Sequence, residues 1–257
     1  MKQSLDPILR NGHGMLLAYD HGFEHGPVEF DENSADPKFI MELANSGHFT
    51  GVICQKGIAA RYYTSAGSAQ ANKVPLIVKL NGKTNYHKDE GEEPVSVQNC
   101  TVDEAIELGA VAVGYTIFVG SDQENKMIQE FSAIEREAHE KGLIVMGWMY
   151  PRGHHIKSDT DPATLEYAAR LGLELNADAV KVKYTGDVES YKRVVQVAGN
   201  TKIFVVGGAK SENPEDVYQM AQEIIEAGAV GLAVGRNIWQ AEKPLEVAEK
   251  LAGIIFR

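Results

Sequence analysis

Short apolar, β-rich runs recur along the chain and alternate with stretches in which apolar residues return every three or four positions. The first pattern suits strands buried on both faces, and the second suits helices with one buried face. On this basis strands are expected at 14–20, 51–55, 76–80, 110–116, 143–150, 177–184, 202–206 and 229–234. Amphipathic helices are expected at 38–45, 101–108, 125–141, 163–175, 188–197 and 214–227, with a final helix at 245–255. The helix at 214 is signalled at both ends. Asn213 can cap it, Pro214 suits its first turn, Glu215 and Asp216 favour its positive end, and Gly228 closes it.

Eight strands alternating with about as many helices, in 257 residues, predict an α/β fold of the (β/α)8 TIM-barrel type. The competing open, doubly wound sheet would use fewer strands. No linker, low-complexity tract or break in composition interrupts the chain, so residues 1–257 read as a single domain. The polar, charged stretch 81–99 follows the third strand. It is expected to be a loop over the face where such barrels keep their active sites.

Composition narrows the function. A formal net charge of −11 argues against nucleic acid as a main partner, although a few local cations can still hold a small anion. Cys54 and Cys100 are too few for a disulfide framework and lack metal-ligand spacing, which fits a reducing compartment. The first ten residues lack the apolar core of a signal peptide, and no run of 18 apolar residues occurs. A cytoplasmic location, with no membrane association, is the expectation.

Candidate chemistry converges on the ends of the strands. In Val180-Lys181-Val182-Lys183-Tyr184-Thr185-Gly186-Asp187, alternation sends Val180 and Val182 to one side and both lysines to the other. Lysine is seldom buried without a role. Burial and a like-charged neighbour both favour the neutral amine, which attacks carbonyls to form a Schiff base. The bland alternative is a pair of lysines snorkelling at a strand end, one of them paired with a carboxylate such as Asp187. Strand parity does not separate Lys181 from Lys183.

Asp20 shares a strand face with Ala18, and Tyr150 shares one with Trp148. An inward carboxylate can hold or relay a proton, a phenol beside a lysine can act as general acid or base, and Trp148 is expected to wall the pocket. Gly207 and Gly208 after strand seven, with Gly235 and Arg236 after strand eight, stand where barrels commonly bind phosphate. Glycine lets backbone N–H groups approach an anion, and arginine adds charge-assisted hydrogen bonds. His21 is read as a substrate or phosphate contact. The competing metal reading would recruit His21, Glu24 and His25 with His154 or His155, but their spacing in a Gly-rich loop is unlike helical ligand spacing.

These motifs together resemble the archaeal-type class I fructose-1,6-bisphosphate aldolases, in the group that includes deoxyribose-phosphate aldolase. The resemblance spans essentially the whole chain. It rests on the segment from Ala18 to Pro27, Tyr150-Pro151-Arg152-Gly153, the segment from Val180 to Asp187, Gly207-Gly208 and Val234-Gly235-Arg236-Asn237. It implies that Lys181 forms the Schiff base, Tyr150 gives and takes the proton, and Asp20 assists. It also implies that Gly207, Gly208, Gly235 and Arg236 hold a phosphate, and that Arg152 and His21 contact substrate. Lys183 would then depress the Lys181 pKa by like charge or touch substrate. A phosphorylated sugar as substrate, no metal or organic cofactor, and a homo-oligomer follow from the same resemblance. Val206 stands where many relatives have serine, which removes a hydroxyl contact to phosphate. Alternatives within the group are an aminodideoxy-heptulosonate synthase type of transaldol enzyme and a thiolase acting on a phosphorylated signal. The former tends to carry asparagine at the position of Lys183. A non-catalytic phosphosugar-binding barrel would tolerate losing Lys181 or Tyr150, and both are present.

Overall fold

The computed structural model describes residues 3–63, 74–86 and 93–257. Eight parallel strands close into a barrel: β1 (Gly14–Ala18), β2 (Gly51–Gln55), β3 (Leu76–Lys79), β4 (Ala110–Val119), β5 (Ile144–Pro151), β6 (Ala179–Val182), β7 (Lys202–Val206) and β8 (Gly231–Val234). Each strand pairs with its sequence neighbours, and β1 closes the ring on β8 through Gly14↔Gly231 to Leu17↔Val234. This is the (β/α)8 architecture that the alternation of patterns predicts.

The helices follow in turn: α1 (Pro37–Ala44), α2 (Lys56–Tyr62), α3 (Val102–Glu107), α4 (Glu124–Glu140), α5 (Pro162–Glu174), α6 (Val188–Val197), α7 (Pro214–Glu226) and α8 (Pro244–Ile255). Their starts are chemically marked. Asp36, Thr101, Asp161, Asp187 and Asn213 each accept a hydrogen bond from a first-turn N–H, and Thr101 with Glu104 forms a full capping box. Gly228, at φ +95°, follows the last turn of α7 as expected. Helix α2 lies outside the amphipathic segments named from sequence. On α8, Val247, Ala248, Leu251, Ile254 and Ile255 cover the barrel, whereas Leu245 is exposed.

Several boundaries differ from expectation. β1 stops at Ala18, because Asp20 begins the short helix His21–Glu24, and β6 keeps only the middle of 177–184. β4 runs on to Val119 because each residue from Ala112 onward has a partner in β5. Within 81–99, Asn81–Gly82 pairs antiparallel with Val97–Gln98, and residues 87–92 lie outside the described residues.

Two apolar layers share the strands. Outward residues such as Leu17, Val52, Val113, Val180 and Val205 pack under the helices. Inward residues, among them Leu16, Ile53, Ile77, Met146, Ala179 and Phe204, fill the barrel, and Leu5 and Ile8 from the first turn join them. Phe204 needs the gap left by Gly14, where a Cβ would lie 2.6 Å from its ring. At the N-terminal ends of the strands, buried Asp178 accepts hydrogen bonds from the Val145 N–H (2.9 Å) and pairs with His139 (2.8 Å), which also meets Glu135 (2.7 Å). Fixed polar contacts there serve stability and leave the opposite rim for chemistry. Among the described residues no helix is long and apolar enough to cross a membrane.

Phe204→Ala should cost about 3–5 kcal/mol of unfolding free energy, because the closed barrel cannot collapse on the void. Chemical denaturation measures this, and a loss below about 1 kcal/mol would mean that the ring does not fill the barrel floor.

Candidate active site

The parity that fills the barrel also sets its rim. Two residues beyond Ala18, Ile77, Trp148, Ala179 and Ala233 on the inward face come Asp20, Lys79, Tyr150, Lys181 and Gly235. Asp20, Tyr150, Lys181 and Gly235 line a cavity of about 220 Å³ together with His21, Arg152, Lys183, Gly207, Gly208 and Arg236. Ten of the eleven site residues expected from sequence therefore meet on one surface. The exception is Trp148. Its side chain is 1% exposed and lies beneath the cavity, so it is a floor for the amines rather than a wall of the pocket.

Two ammonium groups rest on that floor. Lys181 Nζ lies 5.3 Å from the centroid of the Trp148 ring, and Lys79 Nζ lies 5.6 Å from it. An indole face attracts cations and does so more strongly where water is excluded. Gly114 makes room for the ring, since a Cβ there would approach it to 2.0 Å. Lys79 is fully buried and pairs with Glu24 at 2.9 Å. Lys181 is 4% exposed and faces Asp20. The barrel end thus holds two buried cations and two carboxylates, a balance without which their desolvation would be prohibitive.

The electrostatics separate the roles of these groups. Burial, followed by the like charge of Lys79, lowers the Lys181 amine below the usual lysine range, against the opposing pull of Asp20 and Glu24. Burial alone would raise the Asp20 carboxyl, but Lys181 and Lys79 outweigh it and bring it down to about 2. Asp20 therefore contributes stability that is complete above its ordinary value of 3.8 and is lost as the pH falls through about 2. Burial, reinforced by Asp20 and Glu24, pushes the Tyr150 phenol well above 10, so it carries its proton at neutral pH. Burial likewise brings His21 down to about 3, which leaves it a neutral imidazole.

The like charge expected from Lys183 comes instead from Lys79. Lys183 ion-pairs with Asp159 at the cavity margin. Asp187, the carboxylate considered for such a pair, caps α6 by accepting from the N–H groups of Glu189 (2.7 Å) and Ser190 (3.2 Å).

On the far side of the cavity the loops after β7 and β8 approach each other. A Cβ on Gly207 would strike Val234 Cα at 2.8 Å, and one on Gly235 would strike the Ala18 carbonyl and the His21 ring, each at 2.7 Å. Gly208 turns at φ +73° with open space around it. Arg236 donates to Glu29 (3.0 Å) and to the Gly208 carbonyl (3.3 Å). Asn237 pins the β7 loop by donating to the carbonyls of Gly207 (2.7 Å) and Ala209 (2.9 Å) and accepting from the Ser211 N–H (2.8 Å). Val206 gives this wall an apolar element. Arg152 completes the opposite wall, with its guanidinium 5.3 Å from the Phe118 ring centroid.

The residues of the metal alternative are not brought together. Among the described residues the one group with metal-ligand proximity is Glu93, Asp122 and His154, away from His21 and His25. Sequence reasoning missed Lys79, Glu24 as its partner, Glu29 and the part Asn237 plays in holding the β7 loop. Lys79 alone carried a usable signal, because it obeys the same inward parity from Ile77 as Lys181 does from Ala179.

Comparison with known proteins gives a consistent picture. The profile of the DeoC/LacD family aldolases matches residues 14–241. The class 1 fructose-bisphosphate aldolase of Thermoproteus tenax is 47% identical over 249 residues, covering 96% of this chain and 91% of that protein. The class 1 fructose-bisphosphate aldolase of Halobacterium salinarum is 42% identical, covering 97% and 93%. A solved archaeal fructose-1,6-bisphosphate aldolase, with its catalytic lysine covalently bound to the carbinolamine intermediate of the substrate, superimposes with a TM-score of 0.92. It is 45% identical, and the match covers 98% of each chain.

Lys79→Met removes the cation beside Lys181 and leaves Glu24 uncompensated, and both changes favour the protonated form of Lys181. The pH profile for labelling of Lys181 by an amine-directed reagent, followed by peptide mass mapping, should move to higher pH. A profile that stays in place or moves lower would contradict the assignment of Lys79 as its electrostatic partner.

Proposed function

Since the chain belongs to the DeoC/LacD aldolase family, we propose that it is a class I fructose-bisphosphate aldolase. It cleaves fructose 1,6-bisphosphate reversibly to dihydroxyacetone phosphate and glyceraldehyde 3-phosphate. The observation that carries this reading is Lys181, an amine buried at the barrel's catalytic rim whose charged form the site disfavours. Lys183 is a poorer nucleophile because it is more exposed and engaged with Asp159.

The chemistry follows from the protonation states. The neutral form of Lys181, which burial and the like charge of Lys79 favour, adds to the C2 carbonyl to give a carbinolamine. Tyr150, protonated at rest, gives its proton to the departing hydroxyl, so that water leaves and an iminium forms beside a tyrosinate. The tyrosinate then takes the C4 hydroxyl proton. The C3–C4 bond breaks, its electrons flow to the iminium to form an enamine, and the aldehyde product is released. Tyr150 next protonates the enamine at C3. Water adds to the new iminium as the tyrosinate takes one of its protons, and collapse of the carbinolamine frees the ketone and Lys181. The iminium is the electron sink, so the cycle requires neither a metal nor an organic cofactor. Asp20 stays ionised throughout, steadying the cationic intermediates and assisting proton transfer.

Gly207, Gly208, Gly235 and Arg236 are the phosphate cradle in this reading. The Gly207 N–H already donates to the Ala233 carbonyl (2.8 Å), so Gly207 serves by its lack of a side chain. Arg152, His21 and, at the margin, Lys183 contact the rest of the sugar phosphate, and Trp148 acts from below through the amines. The reaction places the enzyme in glycolysis and gluconeogenesis. The acidic composition argues against nucleic acid as a partner, and the two cysteines, too few for a disulfide framework, fit a cytoplasmic enzyme. We read the chain as one catalytic domain working in a homo-oligomer, to which exposed Tyr167 and Leu245 offer apolar contact.

The protein should cleave fructose 1,6-bisphosphate in the presence of a chelator, in an assay coupled to triose phosphate consumption. Lys181→Met should abolish cleavage, and Tyr150→Phe should lower kcat by about 10²–10⁴. Loss of activity on chelation, or an unchanged kcat in Tyr150→Phe, would overturn the mechanism.

A further inference from the structure

Glu93 stands in the loop after β3, outside the cavity, and its side chain is 8% exposed. Its carboxylate accepts from the backbone N–H groups of His154 (2.8 Å) and Asp122 (3.0 Å) and lies against Nδ1 of the His154 ring. One side chain therefore fastens the loops that follow β3, β4 and β5. The Ser121 hydroxyl strengthens the same junction by donating to the Pro94 carbonyl (2.7 Å). These loops pack closely together at Gly153. Its φ is +127°, and a Cβ there would lie 2.5 Å from the Gly120 carbonyl and 2.6 Å from Glu93 Oε2.

The fastened segment begins one residue after Arg152. Tyr150 is held by the β4–β5 ladder, opposite Phe118, and the last ladder-like contact is the Arg152 N–H donated to Val119 (3.0 Å). Beyond that point the chain turns at Gly153, and Glu93 holds its course at His154. We propose that Glu93 is a positioning residue for substrate binding: by clamping the turn at Gly153 and His154 it aims Arg152 into the cavity. The inference rests on the reading of Arg152 as a substrate contact. Glutamate suits the clamp because a carboxylate is acceptor-only, whereas an amide would turn N–H groups towards the backbone donors. Burial would raise the Glu93 carboxyl, but the hydrogen bonds from His154 and Asp122 outweigh it and keep the group ionised.

The clamp acts on Arg152 rather than on Tyr150, so its loss should appear in KM and spare kcat. Glu93→Gln should raise KM for fructose 1,6-bisphosphate by about tenfold with kcat changed less than about threefold. Gly153→Ala forces the clamp open from the other side and should give the same split, which covers the case of a Glu93 variant that folds poorly. In an Arg152→Gln background, Glu93→Gln should raise KM by less than about twofold, because the residue through which it acts is gone. Multiplying effects in the double variant, an unchanged KM in both clamp variants, or an unchanged KM in Arg152→Gln alone would overturn the proposal. Borohydride trapping at Lys181 in each protein keeps the two readings apart. A wild-type protein that traps no adduct refutes the aldolase reading, whereas trapping without the KM split refutes only the clamp.

Discussion

The structure turns on one electrostatic constraint, the presence of two lysine ammoniums over a single buried indole at the mouth of a closed barrel. Charges taken out of water at this depth persist only with partners, and Asp20 and Glu24 supply them. The balance is uneven by design. Lys79 has its own carboxylate at 2.9 Å, whereas Lys181 must share a field in which burial and a like charge oppose the pull of Asp20. The amine that benefits least from charge is the one that opens on the cavity. An acid that stays ionised and a phenol that is protonated at rest complete a site ready for imine chemistry.

Barrel closure makes this arrangement possible. Inward side chains and the short segments that follow the strands meet at one rim, so residues far apart in sequence become neighbours. Lys79 and Glu24 are 55 positions apart, and Arg236 meets Glu29 across 207. Size matters as much as charge. Gly114 admits Trp148, and Gly235 lets the β8 loop approach Ala18 and His21. The lower barrel, filled by Phe204 and closed by Ile8, bears the stability that a rim full of buried charge does not provide.

Much of this was legible in the sequence, and the remainder was hidden for identifiable reasons. Strands buried on both faces announce themselves as apolar runs, so the barrel could be read directly. Alternation placed Asp20, Tyr150 and Lys181 on the inward face, and the ordered motifs chose between Lys181 and Lys183 where parity could not. Alternation gives a face but no depth, which is why Trp148 was expected on the pocket wall and lies under it. Lys79 follows the same rule as Lys181, yet its meaning depends on Glu24, a partner that only the folded chain brings near. Asp187 looked like a counter-ion and is a helix cap, since both roles want the same carboxylate beside a strand end. Glu93 sits in a polar stretch where one more acid carries no signal, and its work becomes visible only when three loops meet.

The central claim is that Lys181, and no other amine on the rim, is the nucleophile. Borohydride reduction in the presence of fructose 1,6-bisphosphate or dihydroxyacetone phosphate, followed by peptide mass mapping, tests it most directly. The account predicts a single reduced adduct on Lys181, formed equally well with a chelator present. An adduct on Lys183 or Lys79, or no adduct from a protein whose activity needs metal, would contradict it.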